Sequence, residues 1–275
     1  MPQPSPLPGP IAGHLDTEQR HKDALLTAEW DVGDGTPPRL KYAILYLART
    51  GSVFLAAHLR RRGIGVPQEY LGASSIAGRL GCLDTSGNTP LGPYFEQLCA
   101  KRTTPNGIFG IKVHPVHLIS FAHDNITAAA DFFSYFDRVL VLRRRDKLLQ
   151  AISLVRARIT EQFHLFPGDT ERHLVQPDSL LFGPITVELG AIIRDELYSD
   201  QVLARVDPKK VTRIWHEELT EAAIEEIAVK LAVAAGHVGP VVQSYAGHAL
   251  PRRGNAEEAL ALKRRFLAYL SGEAK

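Results

Sequence analysis

The chain has 275 residues, of which 45% are hydrophobic and 23% charged, and its net charge is +2. That balance suits a globular protein with a sizeable core, and the near-neutral total excludes a polycation that holds nucleic acid by its overall field. Cys82 and Cys99 show neither metal nor redox spacing and read as buried free thiols; no apolar run reaches membrane length and no charged-then-apolar leader opens the chain, so a cytoplasmic protein is expected.

The first twelve residues, MPQPSPLPGPIA, carry five prolines and read as an extended tail. With the polar stretch from His14 they form a lead-in over residues 1–34, and residues 35–275 are expected to form a single domain. Gly35-Thr36-Pro37-Pro38 marks the way into a first strand, Tyr42–Leu47, whose residues are almost all apolar, as in a strand buried on both faces of a parallel sheet. The chain then turns through Ala48-Arg49-Thr50-Gly51-Ser52, and Val53–Leu59 has helical spacing. Further strands are expected at Gly107–Val113, Arg138–Leu142 and Val211–Trp215. Helices fit Asn125–Tyr135, Asp146–Gln162, Thr186–Leu203, Leu219–Ala235 and Asn255–Leu270, with Asn125 as a cap. Phe163–Pro184, with Pro167-Gly168 and Gly183-Pro184, reads as irregular, in the manner of a lid or acceptor loop. Strands separated by helices predict an α/β fold with a mainly parallel central sheet flanked by helices.

Ligands of such sheets bind at the carboxyl ends of the strands. The Arg49–Ser52 loop lies at such an end and opens a helix, where free N–H groups and the helix dipole favour an anion. Gly51 lets the backbone come close to a ligand, and Arg49, Thr50 and Ser52 add donors. The loop lacks the GxxxxGK[ST] pattern, and no lysine follows Gly51, so the usual grip on a nucleoside triphosphate and Mg²⁺ is missing. Taken alone, the loop is equally a plain strand-to-helix turn. The third strand runs into Arg143-Arg144-Arg145, and Ser153 follows Arg145 by eight residues, about two helical turns; arginine suits phosphate through its planar fork. Alone, this is equally a solvated charge run. Arg60-Arg61-Arg62 ends a helix and reads as structural or solvated. Lys112 reads equally as a ligand contact or a snorkelling lysine. His114 and His117 lie just past a strand end, where Pro115 argues against a helix.

The order strand, RTGS, helix, then strand, Arg-x7-Ser, helix resembles the 3′-phosphoadenosine-5′-phosphosulfate-dependent sulfotransferases. The detail is similar to the bacterial trehalose 2-sulfotransferase family. The matching segments are ARTGSVFLAAHLRRRGIGVPQEYLG (Ala48–Gly72), NGIFGIKV (Asn106–Val113) and RVLVLRRRDKLLQAISLVRARITEQF (Arg138–Phe163), with a weaker echo in RIWHEEL (Arg213–Leu219).

The resemblance implies a P-loop-like three-layer fold and transfer of a sulfuryl group from 3′-phosphoadenosine-5′-phosphosulfate to a hydroxyl, with no metal. It implies that Arg49, Thr50, Gly51, Ser52 and Val53 surround the 5′-phosphosulfate. Arg145 and Ser153 would hold the 3′-phosphate, with Arg144 as the alternative if the register slips by one. Glu69, in Pro-Gln-Glu-Tyr at 67–70, would be the general base. Arg252-Arg253-Gly254 is similar to the Arg-Lys-Gly cofactor loop of other sulfotransferases, and reads equally as a basic start to a helix. The expected partner is a small-molecule, sugar or glycolipid acceptor, with a homodimer left open and neither nucleic acid nor an integral membrane segment. The chain departs from the family at Val53, which replaces a hydroxyl residue, at Trp215-His216, which replaces a tyrosine, and over 165–184. A nucleotide-dependent kinase with a degenerate loop and a non-catalytic phosphate or nucleic-acid binder are the rival readings.

Overall fold

The computed structural model describes residues 30–72, 91–165, 169–237 and 256–273. Four strands are present among them: β1 (Leu40–Tyr46), β2 (Ile108–Val113), β3 (Arg138–Arg143) and β4 (Val211–Trp215). The helices are α1 (Ser52–Arg61), α2 (Leu91–Arg102), α3 (Pro115–Ala122), α4 (Ile126–Ser134), α5 (Lys147–Thr160), α6 (Asp178–Leu203), α7 (Glu221–Ala234) and α8 (Ala256–Leu270). The strands form one all-parallel sheet in the order β2-β1-β3-β4. The fold is therefore α/β, with helices flanking the sheet.

Side chains of a strand alternate between faces, and here both faces are apolar. Ala43 and Leu45 of β1, with Phe109, Ile111, Val139 and Val141, pack under α2, α3, α4 and the end of α6. Tyr42, Ile44 and Tyr46, with Leu140, Leu142 and Ile214, pack against Leu55 and Leu59 of α1 and Ile224 and Leu231 of α7. Each such fully buried leucine or isoleucine contributes about 1.5–3 kcal/mol. A third cluster joins α5, α6 and α8 through Ile152, Ile185, Leu262 and Phe266. Cys99 is a buried free thiol.

Close packing forbids a side chain at several glycines, Gly110 among them. Gly110 stands beside Tyr42 in the β1–β2 register. A Cβ there would lie 2.4 Å from the Tyr42 ring, whose hydroxyl donates to the Ile64 carbonyl at 2.7 Å.

The helix boundaries depart from the sequence reading in three places. Pro115 does not prevent a helix: it occupies the first turn of α3, where the missing N–H has no helical partner to lose, and His114 Nδ1 caps the turn by accepting from Val116 N at 3.3 Å. α6 begins at Asp178, eight residues before the expected Thr186, and runs through Gly183-Pro184. Pro184 frees the carbonyl of Leu180, an exposed residue on the solvent side of the helix. α2 was not expected, although Tyr94, Phe95, Leu98 and Cys99 repeat at helical spacing and are all buried. Residues 1–29, Cys82, Pro167-Gly168, Asn255 and the Arg252-Arg253-Gly254 segment lie outside the described residues.

Candidate anion cleft

β1 is an inner strand whose next strand in sequence, β2, lies on one side, while β3 lies on its other side and leads outward to β4. The chain reverses its direction of travel between β1 and β3, and such a reversal opens a crevice at the carboxyl ends of the two strands. A cleft of about 330 Å³ lies there, lined by Arg49, Gly51, Ser52, Val53 and Phe54 after β1 and by Arg144, Ser153 and Arg156 after β3.

The loop after β1 has an unusual backbone. Arg49 (φ 64°) and Gly51 (φ 89°) both take the left-handed region, which costs a residue with a Cβ but not glycine. A Cβ on Gly51 would also come within 3.2 Å of His216 Nδ1 and Leu219. Three side chains fix the loop's carbonyls. Thr50 Oγ1 donates to Leu47 O at 2.7 Å, Gln150 Nε2 to Ala48 O at 2.7 Å, and His216 Nδ1 lies 3.0 Å from Thr50 O. With its carbonyls held back, the loop presents the amino end of α1. Gly51 caps that helix without a side-chain bond, and its first turn carries no acid. The first helical N–H groups thus stand at the cleft wall beside Ser52 and Val53.

The two sides of the cleft meet at Arg49. Its Nε donates to Ser153 Oγ at 3.0 Å, its Nη1 donates to the Phe163 carbonyl, and Arg144 Nη1 donates to the Arg49 carbonyl at 3.4 Å. Burial, and then the charges of Arg144 and Arg156, pull the Arg49 guanidinium down to about 10. A buried cation crowded by two others is stabilised by an incoming anion. Phe54, Leu149, Phe163 and Leu165 give the cleft an apolar wall as well.

Arg145 does not line the cleft. Its guanidinium pairs with Glu218 and stacks over Trp215, 4.7 Å from the ring centroid, while its N–H donates to Glu217 at 3.0 Å. Glu217 also accepts from Asp146 N at 3.3 Å, so a carboxylate already caps the start of α5. Burial raises the Glu217 carboxyl, but these two N–H groups outweigh it and hold the carboxyl below its usual range. Of the arginine and serine paired in the sequence, the structure brings Ser153 and the neighbouring Arg144 to the cleft.

Glu69 stands on the other flank of β1. Gln68 bridges to Ile111 of β2, which sets Glu69 beside Lys112. Lys112 Nζ donates to Glu69 Oε1 at 2.9 Å, and its side chain is only 2% exposed, so it is a buried ion-pair partner and not a snorkelling lysine. Burial alone would raise the Glu69 carboxyl; the charge and hydrogen bond of Lys112, with the Tyr46 hydroxyl and His117, hold it at about 2. His114 packs edge-on to Tyr46 at 5.4 Å and lies 6.0 Å from His117 between centroids. Burial, with His117 beside it, brings His114 down to about 4, and burial lowers His117 too. Tyr46 ends β1 three residues before Arg49, so this polar cluster and the arginine cleft flank one short loop at the same sheet edge.

The sequence reading did not single out Arg156, Gln150 or His216 as cleft or loop residues, and it covered Phe163 and Glu171 only within the 163–184 acceptor loop. Arg156 had a usable signal, since it is three residues from Ser153 and shares its helix face. Gln150 had none and His216 only its place in the weak RIWHEEL echo, because each acts on a carbonyl brought near only by the fold. Arg60 lies 4.0 Å over Trp30, and Arg62 pairs with Glu225 of α7, so both have structural contacts. Among the described residues, no cluster of three metal-ligating side chains occurs and no helix is long and apolar enough to cross a membrane. No protein-family model and no curated protein matches this chain.

Proposed function

We propose that the protein is a cytoplasmic sulfotransferase that uses 3′-phosphoadenosine-5′-phosphosulfate and modifies a hydroxyl, on a sugar or glycolipid. One observation carries the reading: a single cleft at the β1–β3 crevice collects Arg49, Ser52 and the amino end of α1 from one side, and Arg144 and Ser153 from the other. Two sets of anion donors on either side of a cleft with an apolar wall suit a nucleotide with a phosphate at each end of its ribose. The absence of a lysine after Gly51 favours this over a nucleoside triphosphate.

The donor, when bound, supplies an activated sulfuryl group. Ser52, the N–H groups at the start of α1 and Arg49 bind and orient its 5′ end, and they are placed to stabilise charge on the bridging oxygen. Ser153 and Arg144 hold the 3′-phosphate; Arg145 gives way to Arg144 because Glu218 and Trp215 engage it outside the cleft. The acceptor approaches from the β2 flank, where Glu69 is the proposed proton acceptor and Lys112 fixes its position. Lys112 holds Glu69 ionised and in place but also lowers its basicity, so the proposed role rests on position rather than on a matched pKa.

The test is calorimetry with 3′,5′-adenosine bisphosphate, 5′-adenosine monophosphate and ATP with Mg²⁺, followed by transfer of label from ³⁵S-labelled donor to a panel of sugars and glycolipids. Preference for the bisphosphate and labelled product are expected. Equal binding of bisphosphate and monophosphate, or Mg²⁺-dependent preference for ATP, overturns the assignment.

A further inference from the structure

Arg156 is one helical turn beyond Ser153 on α5, and both side chains face the cleft. Its guanidinium meets the Glu171 carboxylate at 2.5 Å, the Arg172 carbonyl at 3.0 Å and Glu258 at 3.5 Å. Arg156 and Glu171 are 15% and 16% exposed, so the pair is largely withdrawn from water. Among the described residues lining the cleft, Glu171 is the one carboxylate, against Arg49, Arg144 and Arg156.

Glu171 is held there by its neighbours. Gln162 Nε2 donates to Thr170 O at 3.0 Å, Arg172 N donates to Gln162 Oε1 at 2.9 Å, and Arg172 Nη1 donates to Thr160 O at 2.8 Å. Leu174 N donates to Glu258 Oε1 at 3.0 Å. The backbone on both sides of Glu171 is thus tied to the end of α5 and to α8, and the carboxylate is aimed at Arg156.

We propose that Arg156 and Ser153 form a second anion subsite in the cleft, and that Glu171 is its resident counter-ion, replaced by the remote phosphate of the ligand. This rests on the donor proposed above and adds Arg156 to Ser153 and Arg144 as the groups that take its 3′-phosphate. A phosphate dianion and a carboxylate cannot share one largely buried guanidinium without strong repulsion. The carboxylate therefore leaves when the phosphate arrives, and the ligand spends part of its binding energy on that exchange. A ligand already anchored at Arg49 and Ser52 brings its second phosphate at high effective concentration, so it can displace Glu171 where a free anion cannot.

The experiment is calorimetry on the full chain with 3′,5′-adenosine bisphosphate, 5′-adenosine monophosphate and sodium pyrophosphate. The variants are Glu171→Gln, the milder Glu171→Asp, and Glu225→Gln, which removes a carboxylate paired with Arg62 away from the cleft. Glu171→Gln is expected to tighten the bisphosphate about tenfold, the scale of one charged hydrogen bond no longer broken. Glu171→Asp should tighten it by less, and the monophosphate should change less than about twofold in either. Glu225→Gln should tighten nothing. Unchanged or weaker bisphosphate binding in both Glu171 variants overturns the proposal, as does equal tightening of the monophosphate or by Glu225→Gln. If the bisphosphate fails to bind at all while pyrophosphate tightens in Glu171→Gln, the subsite stands and the donor assignment falls.

Discussion

Arg49 Nε and Ser153 Oγ meet at 3.0 Å although 104 residues separate them in the chain. The bond ties the loop after β1 to the helix after β3, and so closes the crevice at the point where the sheet reverses direction. Ser153→Ala removes the acceptor while leaving α5 intact. We expect a loss of about 1 kcal/mol in stability, the value of a partly exposed hydrogen bond, and weaker binding of 3′,5′-adenosine bisphosphate. Urea unfolding and calorimetry on the same variant check both. Native affinity with reduced stability would make the bond purely structural.

Glu69 and Lys112 make a pH-dependent pair. The carboxyl sits at about 2 in the folded protein, below its usual 4.5. A lowered folded value stabilises the fold above the unfolded pKa, and that contribution is lost as pH falls from about 4.5 toward 2. Glu69→Gln also leaves the Lys112 ammonium buried without its carboxylate. The variant should therefore be less stable than the wild type at pH 7, and the gap should narrow below pH 4.5. Urea midpoints at several pH values read this out. At neutral pH, single-turnover transfer should fall by about 10²–10⁴ if Glu69 takes the proton. A near-normal rate in a folded variant removes it from the chemistry.

Val53 stands where the family resemblance expects a hydroxyl. It lines the cleft beside Ser52 and belongs to none of the three buried clusters. Val53→Thr should therefore present its hydroxyl to the ligand and tighten 3′,5′-adenosine bisphosphate by roughly 0.5–1.5 kcal/mol, with little change in melting temperature. A lower melting temperature without tighter binding would show that the valine was chosen for packing.

The β1–β2 seam is a stringent packing site. Gly110→Ala would set a methyl 2.4 Å from the Tyr42 ring, which is pinned by its bond to Ile64. We expect at least about 1–3 kcal/mol of destabilisation, the range for overpacking, measured as a shift in the urea midpoint. A stability within error of the wild type would mean that Tyr42 has room to move.

The sheet was legible because its strands are short apolar runs separated by long helical segments, a pattern that favours a parallel arrangement. β4 was read at its observed ends, and the other strands within two residues. Helix ends were harder. Proline was taken as a breaker at both Pro115 and Pro184, but its effect depends on position: at the first turn of α3 it costs nothing, and within α6 its freed carbonyl belongs to an exposed residue. At the site, Arg49, Gly51, Ser52 and Ser153 were legible from loop chemistry and spacing. Glu171, Gln150 and His216 were not, since each matters through a long-range contact. Arginine register was the weakest point, because at the end of β3 Arg143 turns to Glu196 and Asp200 of α6, Arg144 to the cleft and Arg145 to Glu218.

That register is open to a direct comparison of neighbours. Arg144 lines the cleft and donates to the Arg49 carbonyl, whereas Arg145 is 49% exposed, paired with Glu218 and stacked on Trp215. Arg144→Ala should weaken 3′,5′-adenosine bisphosphate about tenfold or more, since a charged hydrogen bond to phosphate is worth roughly 1.5–3 kcal/mol. Arg145→Ala removes an exposed ion pair and a stacking contact, each worth about 1 kcal/mol or less at such a surface, so it should lower stability slightly and leave affinity within about twofold. Binding of 5′-adenosine monophosphate separates the two phosphates: Arg144→Ala should reduce the preference for the bisphosphate, and Arg145→Ala should keep it. The reverse pattern would return the 3′-phosphate to Arg145, and would require Glu217 and Glu218 to swing away from the start of α5 when the ligand binds.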